Sequence, residues 1–419
     1  MTNRSRSPRR VAAVTATLAV AALTLTACGG GSDAADSVES FADMEEVNLK
    51  VATIYGPDNY STLAIEKYTD AITEATEGKV TFEYFYAGSL LPQNEMAQGL
   101  SDGTIDFAEF MPTYTPADYP VDNWATKLAF MSDPAPVVGS TQSKSATWEF
   151  AYSEPAFQEE LADNNIHGLV PRNQTVHTYD LICKDPVTSL EDIQGKRIRV
   201  GGEAWAGEVE NLGGTPVNLP SNEGYTALQQ GVTDCHLGGV QEIDGMGLTD
   251  VAKNYTPLGL TGWTSASTGV NQDTWESLPT LAQQAFVDNL PVLFEAQAAE
   301  SSQAAFDFFS QASDAGVTTH QADEDVHAKV GSYHDQLAAD LVEQAPAEVA
   351  DPEAAIASYQ EAHAKWLETL TGELAFPNEA ATWAEYVEQN EGVDEDFSAW
   401  SDKISTEILD QTDLLGSAE

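Results

Sequence analysis

Positive charge is scarce in this chain. Lysine and arginine together number 18 against 67 aspartates and glutamates, a formal net charge of −49. A surface of that sign repels phosphate backbones, so nucleic-acid binding, which needs a basic footprint, is excluded. Cysteine is nearly absent too, with Cys28, Cys183 and Cys235 the whole complement. The sequence holds no C-x-x-C, no H-E-x-x-H, no phosphate-cradling P-loop and no G-x-G-x-x-G. The usual signatures of zinc, redox and nucleotide chemistry are therefore missing. The acids nowhere form a D-x-D-x-D-G calcium loop, and no metal or cofactor is expected. Beyond the opening residues, no apolar run approaches the roughly 20 residues that span a bilayer.

The opening residues do carry positive charge. Arg4, Arg6, Arg9 and Arg10 precede an apolar run from Val11 to Leu25, the layout of an export signal over residues 1–27. Leu25-Thr26-Ala27-Cys28 resembles the lipobox of bacterial lipoproteins, which implies cleavage before Cys28 and its acylation. The small, polar stretch that follows, residues 28–46, reads as a flexible tether. The mature protein is thus expected outside the cytoplasm, held by lipid to the outer face of the bacterial cell membrane. Cys183 and Cys235 remain as an even pair, compatible with one disulfide in an exported chain; two free buried thiols are the alternative.

The rest of the chain alternates strand and helix patterns, which indicates an α/β fold with largely parallel sheet. Val47–Tyr55 reads as a first strand. Ala64, Tyr68, Ala71, Ile72 and Ala75 then share a helical face, and Val80–Tyr86 alternates as a second strand. The stretch from Lys184 to Cys235 is the most informative. Lys196–Val200 is a short strand, a helix over Trp205–Leu212 stops at Gly213-Gly214, and Val217–Leu219 is another strand. Ser221 offers an N-cap for a helix closed by Gly231. Leu258–Thr268 reads as an extended crossing, and helices are expected over about 280–315, 326–370 and 380–415.

Arginine is the residue to watch. Past residue 27 only Arg172, Arg197 and Arg199 occur, and two of them share one strand. A planar guanidinium forks a carboxylate through two parallel hydrogen bonds, which a lysine point charge does not. Surface arginines balancing nearby acids are the plain alternative.

Two other patterns attract notice. Gly99-Leu100-Ser101-Asp102-Gly103 matches the G-x-S-x-G of hydrolase nucleophile elbows, which would make the protein a secreted lipoprotein hydrolase using Ser101. That elbow needs a strand before the serine and a helix after it, whereas the local pattern reads helix then strand. His320, His327 and His334 recur every seven residues, about 10 Å apart along a helix, too far to share one metal ion. They are expected at the surface.

Several segments, in order, resemble the extracytoplasmic substrate-binding proteins of TRAP (tripartite ATP-independent periplasmic) transporters. These are GSLLPQNEMAQGLSDGTIDF, SLEDIQGKRIRV, LGGTPVNLPSNEGYTALQQGVTD, NQDTWESLP and DFFSQASDAGVTTH, spread over about Val47 to His320. The resemblance implies a two-domain, clam-shell periplasmic-binding-protein-like α/β fold with a cleft between the domains and a long helix spanning both. Domain I would hold residues 47–174 and 264–319, domain II residues 175–263, and a C-terminal helical region residues 320–419, longer than the family leads one to expect.

The function it implies is capture of a small organic acid for delivery to TRAP membrane permease subunits, without catalysis. The ligand carboxylate would be held by Arg199. A second ligand arginine of the family falls at Tyr179, with Arg172 a substitute if the loop shifts. The family's asparagine falls near Gly238, and its aromatic before the S-E-x-Y-x-A-L helix is Ser221. Met111, Trp205 and Trp263 join the candidate ligand-binding residues, with core packing the alternative for both tryptophans.

Overall fold

Short runs of branched and aromatic residues, punctuated by helices, build two sheets. In the computed structural model residues 38–174, 176–263 and 265–415 are described. The expected export signal, Cys28 and the tether as far as residue 37 lie outside the described residues. The remainder of the expected tether is partly packed, since Met44 is buried in the core.

The chain first lays down β1 (Val47–Ala52), β2 (Val80–Phe85), β3 (Phe107–Phe110) and β4 (Ile166–Asn173). It then crosses to β5 (Val176–Cys183), β6 (Arg197–Val200), β7 (Thr215–Asn218), β8 (Cys235–Gly238) and β9 (Asn254–Trp263). It returns with β10 (Ala266–Asn271) and ends its strands at β11 (Thr318–Thr319). The first sheet has five strands in the order β2-β1-β3-β10-β4, and the second has six, β11-β9-β5-β8-β6-β7. The backbone therefore passes between the sheets at β4–β5, at β9–β10 and once more between β10 and β11. Pairs with a helical crossover, such as β1 with β2 and β6 with β7, are parallel, while β5 and β10, the first strands after a crossing, run antiparallel to both neighbours.

Local sequence explains the elements between them. Asn59 caps the helix Tyr60–Ala75 by accepting a hydrogen bond from the Ser61 backbone N–H. That helix buries Ala64, Ile65, Tyr68 and Ile72, whereas Ala75, expected on the same face, is exposed. The helix Glu203–Leu212 ends at Gly213, whose φ of 96° is left-handed, and Gly231 closes Gly224–Gln230 in the same way at φ 72°. Ser221 does not act as the expected cap; its hydroxyl turns to other partners, described below.

The C-terminal hundred residues are not a separate unit. Leu341, Trp366, Trp400 and Leu414 belong to the same buried cluster as Val51, Tyr68 and Phe107 of the first domain. Trp148 stacks on Phe294 at 4.0 Å, and Trp400 donates its indole N–H to Ser145 Oγ at 2.8 Å. The expected long helices are broken in two: Thr280–Asp288 and Leu290–Gln311, Glu324–Asp340 and Pro352–Glu368, Trp383–Gln389 and Phe397–Glu407. Leu290–Gln311 is the spanning helix, packed on Tyr60–Ala75 of the first domain and on Val240–Gly245 of the second. Residues 318–319, assigned to domain I from sequence, instead pair with β9 in the second sheet. His334 also departs from its expected surface position: it lies against the buried Glu208 with Nε2 2.6 Å from Oε1. Among the described residues no helix is long and apolar enough to cross a membrane.

Cys183 and Cys235 are register partners on the antiparallel pair β5–β8 and are joined in a disulfide. It links residues 52 apart in sequence, for which the chain-entropy relation gives about 4 kcal/mol. We expect Cys183→Ser/Cys235→Ser to lower the unfolding free energy by roughly 2–5 kcal/mol in denaturant melts. A loss under ~1 kcal/mol would mean the unfolded chain is not constrained by the bridge.

Candidate functional site

Strands β6, β7 and β8 run parallel, so their carboxyl ends gather on one edge of the second sheet. In open α/β sheets that edge is where ligands bind. Arg199 stands there. Arg197, two residues earlier and so on the same face of the strand, lies at the opposite end, where it pairs with Asp234 at 2.7 Å and reaches solvent. One strand thus carries a solvent arginine and a buried one.

Arg199 has no exposed surface. A buried guanidinium cannot shed its charge, so its N–H groups must all find acceptors. Nε donates to the Leu219 carbonyl at 2.8 Å, and one terminal nitrogen donates to Ser221 Oγ at 3.1 Å. The other donates to Glu242 Oε1 at 3.1 Å and to the Leu237 carbonyl at 3.3 Å. The fork expected for a ligand carboxylate is therefore engaged within the chain, one prong by Glu242 and the other by Ser221. Glu242 sits on the short helix Val240–Gly245 that follows β8. Its Oε1 also lies 2.9 Å from His236 Nε2, and its Oε2 accepts from the Tyr179 hydroxyl at 3.1 Å.

These neighbours set the protonation states. Burial drives the Glu242 carboxyl up, but the Arg199 charge and the His236 hydrogen bond outweigh it and hold the group at about 2. Because this lies below the ordinary 4.5, the stabilisation from ionised Glu242 is complete above pH 4.5 and fades as pH falls toward 2. Burial, reinforced by Arg199, pushes the His236 imidazole down. Neutral His236 can then donate through Nε2–H to Glu242.

A cavity of about 10 Å³ lies beside this cluster. The second domain contributes Tyr179, Ser221, Glu242 and Trp263 to its wall. The first domain contributes Tyr55, Tyr60, Glu109 and Met111, from the carboxyl ends of β1 and β3 and the helix start beside them. Glu109 accepts from Ser61 Oγ at 2.8 Å and from Gln297 Nε2 at 3.3 Å. Burial pushes its carboxyl up, a shift that the Ser61 hydrogen bond and the Lys144 charge offset only in part. The domains touch across the rim. Tyr114 Oη lies 3.2 Å from Ser221 Oγ, and Asn123 Nδ2 donates to Glu203 at 3.0 Å. The clam shell is closed.

Several sequence expectations change here. Arg172 is not near this cavity. It is buried on β4, where it pairs with Asp122 and donates to the Asp122 carbonyl at 3.0 Å and to Thr126 Oγ1 at 3.1 Å. Asp122 also accepts from Ser265, next to the β9–β10 crossing, so Arg172 braces the connection between domains. Trp205 does not line the cavity. It stacks behind Trp263 at 5.0 Å and donates its N–H to the Thr261 carbonyl at 2.8 Å; Trp263 is the wall. A Cβ on Gly238 would stand 3.0 Å from Glu242 Oε2, so the space of an asparagine side chain is used by Glu242. Met111 and Tyr179 do line the cavity. Sequence reading passed over Glu242 and Glu109; the one signal for each was an acid inside an apolar run, HLGGVQEI and DFAEFM.

The profile of the bacterial extracellular solute-binding proteins, family 7, matches residues 51–345, well over half of the chain. The protein belongs to this family. Among curated relatives it is similar to a solute-binding protein of Roseobacter denitrificans, 24% identical over 213 residues covering 46% of this chain and 57% of that one. A monocarboxylate 2-oxoacid-binding periplasmic protein of Nostoc is 24% identical over 250 residues, covering 59% and 65%. The chain thus spans 57% and 66% of the length of the first curated relatives it matches.

Solved structures share the fold. A marine metagenome TRAP solute-binding protein specific for pyroglutamate superimposes with a TM-score of 0.66 at 19% identity, covering 76% of this chain and 100% of that one. A Desulfovibrio salexigens TRAP periplasmic solute-binding protein with bound orotic acid gives 0.64 at 21% identity, covering 76% and 99%. The C-terminal helices after residue 345 lie beyond the family match.

The buried Arg172–Asp122 pair yields a prediction about stability. Removing one partner leaves an uncompensated charge, so Arg172→Ala should cost about 3–5 kcal/mol in urea unfolding. A loss below ~1 kcal/mol would show that the pair does not brace the crossing.

Proposed function

We propose that this family-7 protein is a lipid-anchored extracytoplasmic receptor that captures a small organic acid between its two domains and passes it to TRAP membrane permease subunits. The observation that carries the reading is the placement of Arg199: one buried guanidinium at the carboxyl edge of a parallel sheet, directly behind Ser221 and Glu242, which line a cavity that the opposite domain closes. The ligand carboxylate would take Glu242's place on that fork. In a cavity of about 10 Å³ this requires the domains to part, admit the acid and close on it. Ligand contacts made from both sides then shift the hinge equilibrium toward closure. Structural neighbours whose ligands are pyroglutamate and orotic acid support the ligand class.

The rival reading, a hydrolase using Ser101, finds no support in the local geometry. Ser101 ends the helix Met96–Ser101 and the strand Phe107–Phe110 follows, the reverse of a nucleophile elbow.

A thermal-shift screen of the mature protein against organic acids tests the receptor reading. Saturation at a hundredfold excess over Kd stabilises by about 3 kcal/mol. With the acid in hand, Arg199→Ala should weaken calorimetric binding by about 2–5 kcal/mol, roughly 30- to several-thousand-fold. Arg199→Lys should stay impaired because it cannot make the paired hydrogen bonds. Unchanged affinity in Arg199→Ala would remove Arg199 from the site.

Anchoring is tested separately. Cys28→Ala should release protein to the medium or block its processing, and a variant still processed and membrane-bound would refute the lipid anchor.

A further inference from the structure

The charges around the cavity come in compensating pairs, and the pairing restricts the ligand. Arg199 and Glu242 neutralise each other on the second domain. On the first domain Glu109 is coupled electrostatically to the buried Lys144, which burial holds down to about 7 although Glu109 pulls it the other way. A simple anion has one guanidinium to claim. Taking it would displace Glu242 and leave that carboxylate facing a buried space, opposite Glu109, with no new positive charge. Uncompensated buried charge is strongly unfavourable.

We infer that the natural ligand is a zwitterion, a small carboxylate that also carries a cationic nitrogen seated between Glu109 and Glu242 against the aromatic wall. This rests on the Arg199 reading above and narrows its substrate class. As the ligand carboxylate takes Arg199, the ligand nitrogen takes Glu242, so every buried charge exchanges one partner for another. The nitrogen also joins the two domains, because Glu109 and Glu242 stand on opposite walls.

Three observations support the choice. The wall is built from Tyr55, Tyr60, Tyr179 and Trp263, whose π faces attract a cation. The position at which the family resemblance placed a second arginine is Tyr179, whose hydroxyl binds Glu242 instead of adding positive charge. A wider groove of about 370 Å³ opens beside Tyr60 and is lined by Asp58, Asp244, Glu300 and Asp307, with Glu300 paired to Lys67. The negative potential it sets beside the cavity disfavours a net anion there and is indifferent to a neutral zwitterion.

The experiment compares ligands matched in shape and different in charge. Each acid in the thermal-shift screen is titrated calorimetrically beside its amino or betaine analogue, including 3,3-dimethylbutanoate against glycine betaine and pyroglutamate against proline. The expected result is that bound pairs favour the zwitterion by about 30-fold or more. Glu109→Gln and Glu242→Gln should each reduce that preference, and Glu242→Gln should raise the affinity for the plain acid by freeing Arg199. If the plain acid binds as tightly as its zwitterionic analogue, the inference is wrong and the carboxylate receptor reading stands. If neither member of any pair binds, both fall.

Discussion

A guanidinium with no access to water must be satisfied entirely by the protein, and much of the second domain is arranged around that requirement. The Leu219 and Leu237 carbonyls come from the ends of β7 and β8, where the parallel ladder stops and backbone acceptors are free to turn inward. Ser221 surrenders its capping role to reach Arg199. Glu242 supplies the counter-charge, and Gly238 and the uncharged His236 leave it room and a donor. Replacing any one of these changes the electrostatic balance of the others, since the low-dielectric surroundings make each charge depend on its partner.

The link from that cluster to motion runs through the crossings. Besides the later path to β11, the backbone leaves the first sheet after β4 and returns at β10, and rotation of one domain against the other would be taken up at such crossings. The Arg172–Asp122–Ser265 network braces the first-domain side of both. The C-terminal helices add a second constraint. Most of them are fused into the first-domain core, but Glu324–Asp340 packs on Glu203–Leu212 of the second domain before Leu341 returns to Trp124. This added segment therefore bridges the bodies whose separation would admit a ligand, with Glu208 and His334 in contact beneath it.

Much of the architecture was legible from residue order. Alternation of short branched runs with amphipathic stretches specified α/β layers, and glycines at 213 and 231 marked helix ends because left-handed φ excludes most side chains there. The helix-then-strand order around Ser101 was legible for the same reason. Less readable were the breaks in the C-terminal helices and the attachment of Thr318–Thr319 to the second sheet. Both depend on what the segment packs against, to which local propensity is blind.

The sequence by itself determined that this chain has few cations, that Arg199 sits at the end of a parallel strand, and that the chain follows the family's order of elements. These are matters of composition and period, written locally. Only the tertiary structure decided which carboxylate faces which guanidinium. Arg199 and Glu242 are 43 residues apart, and Glu109 approaches the cavity from the other domain. Nothing local distinguishes an acid bound for a buried ion pair from the many that stay in water. That difference arises when strand ends converge and exclude solvent, because a charge has to find a partner only once water is gone.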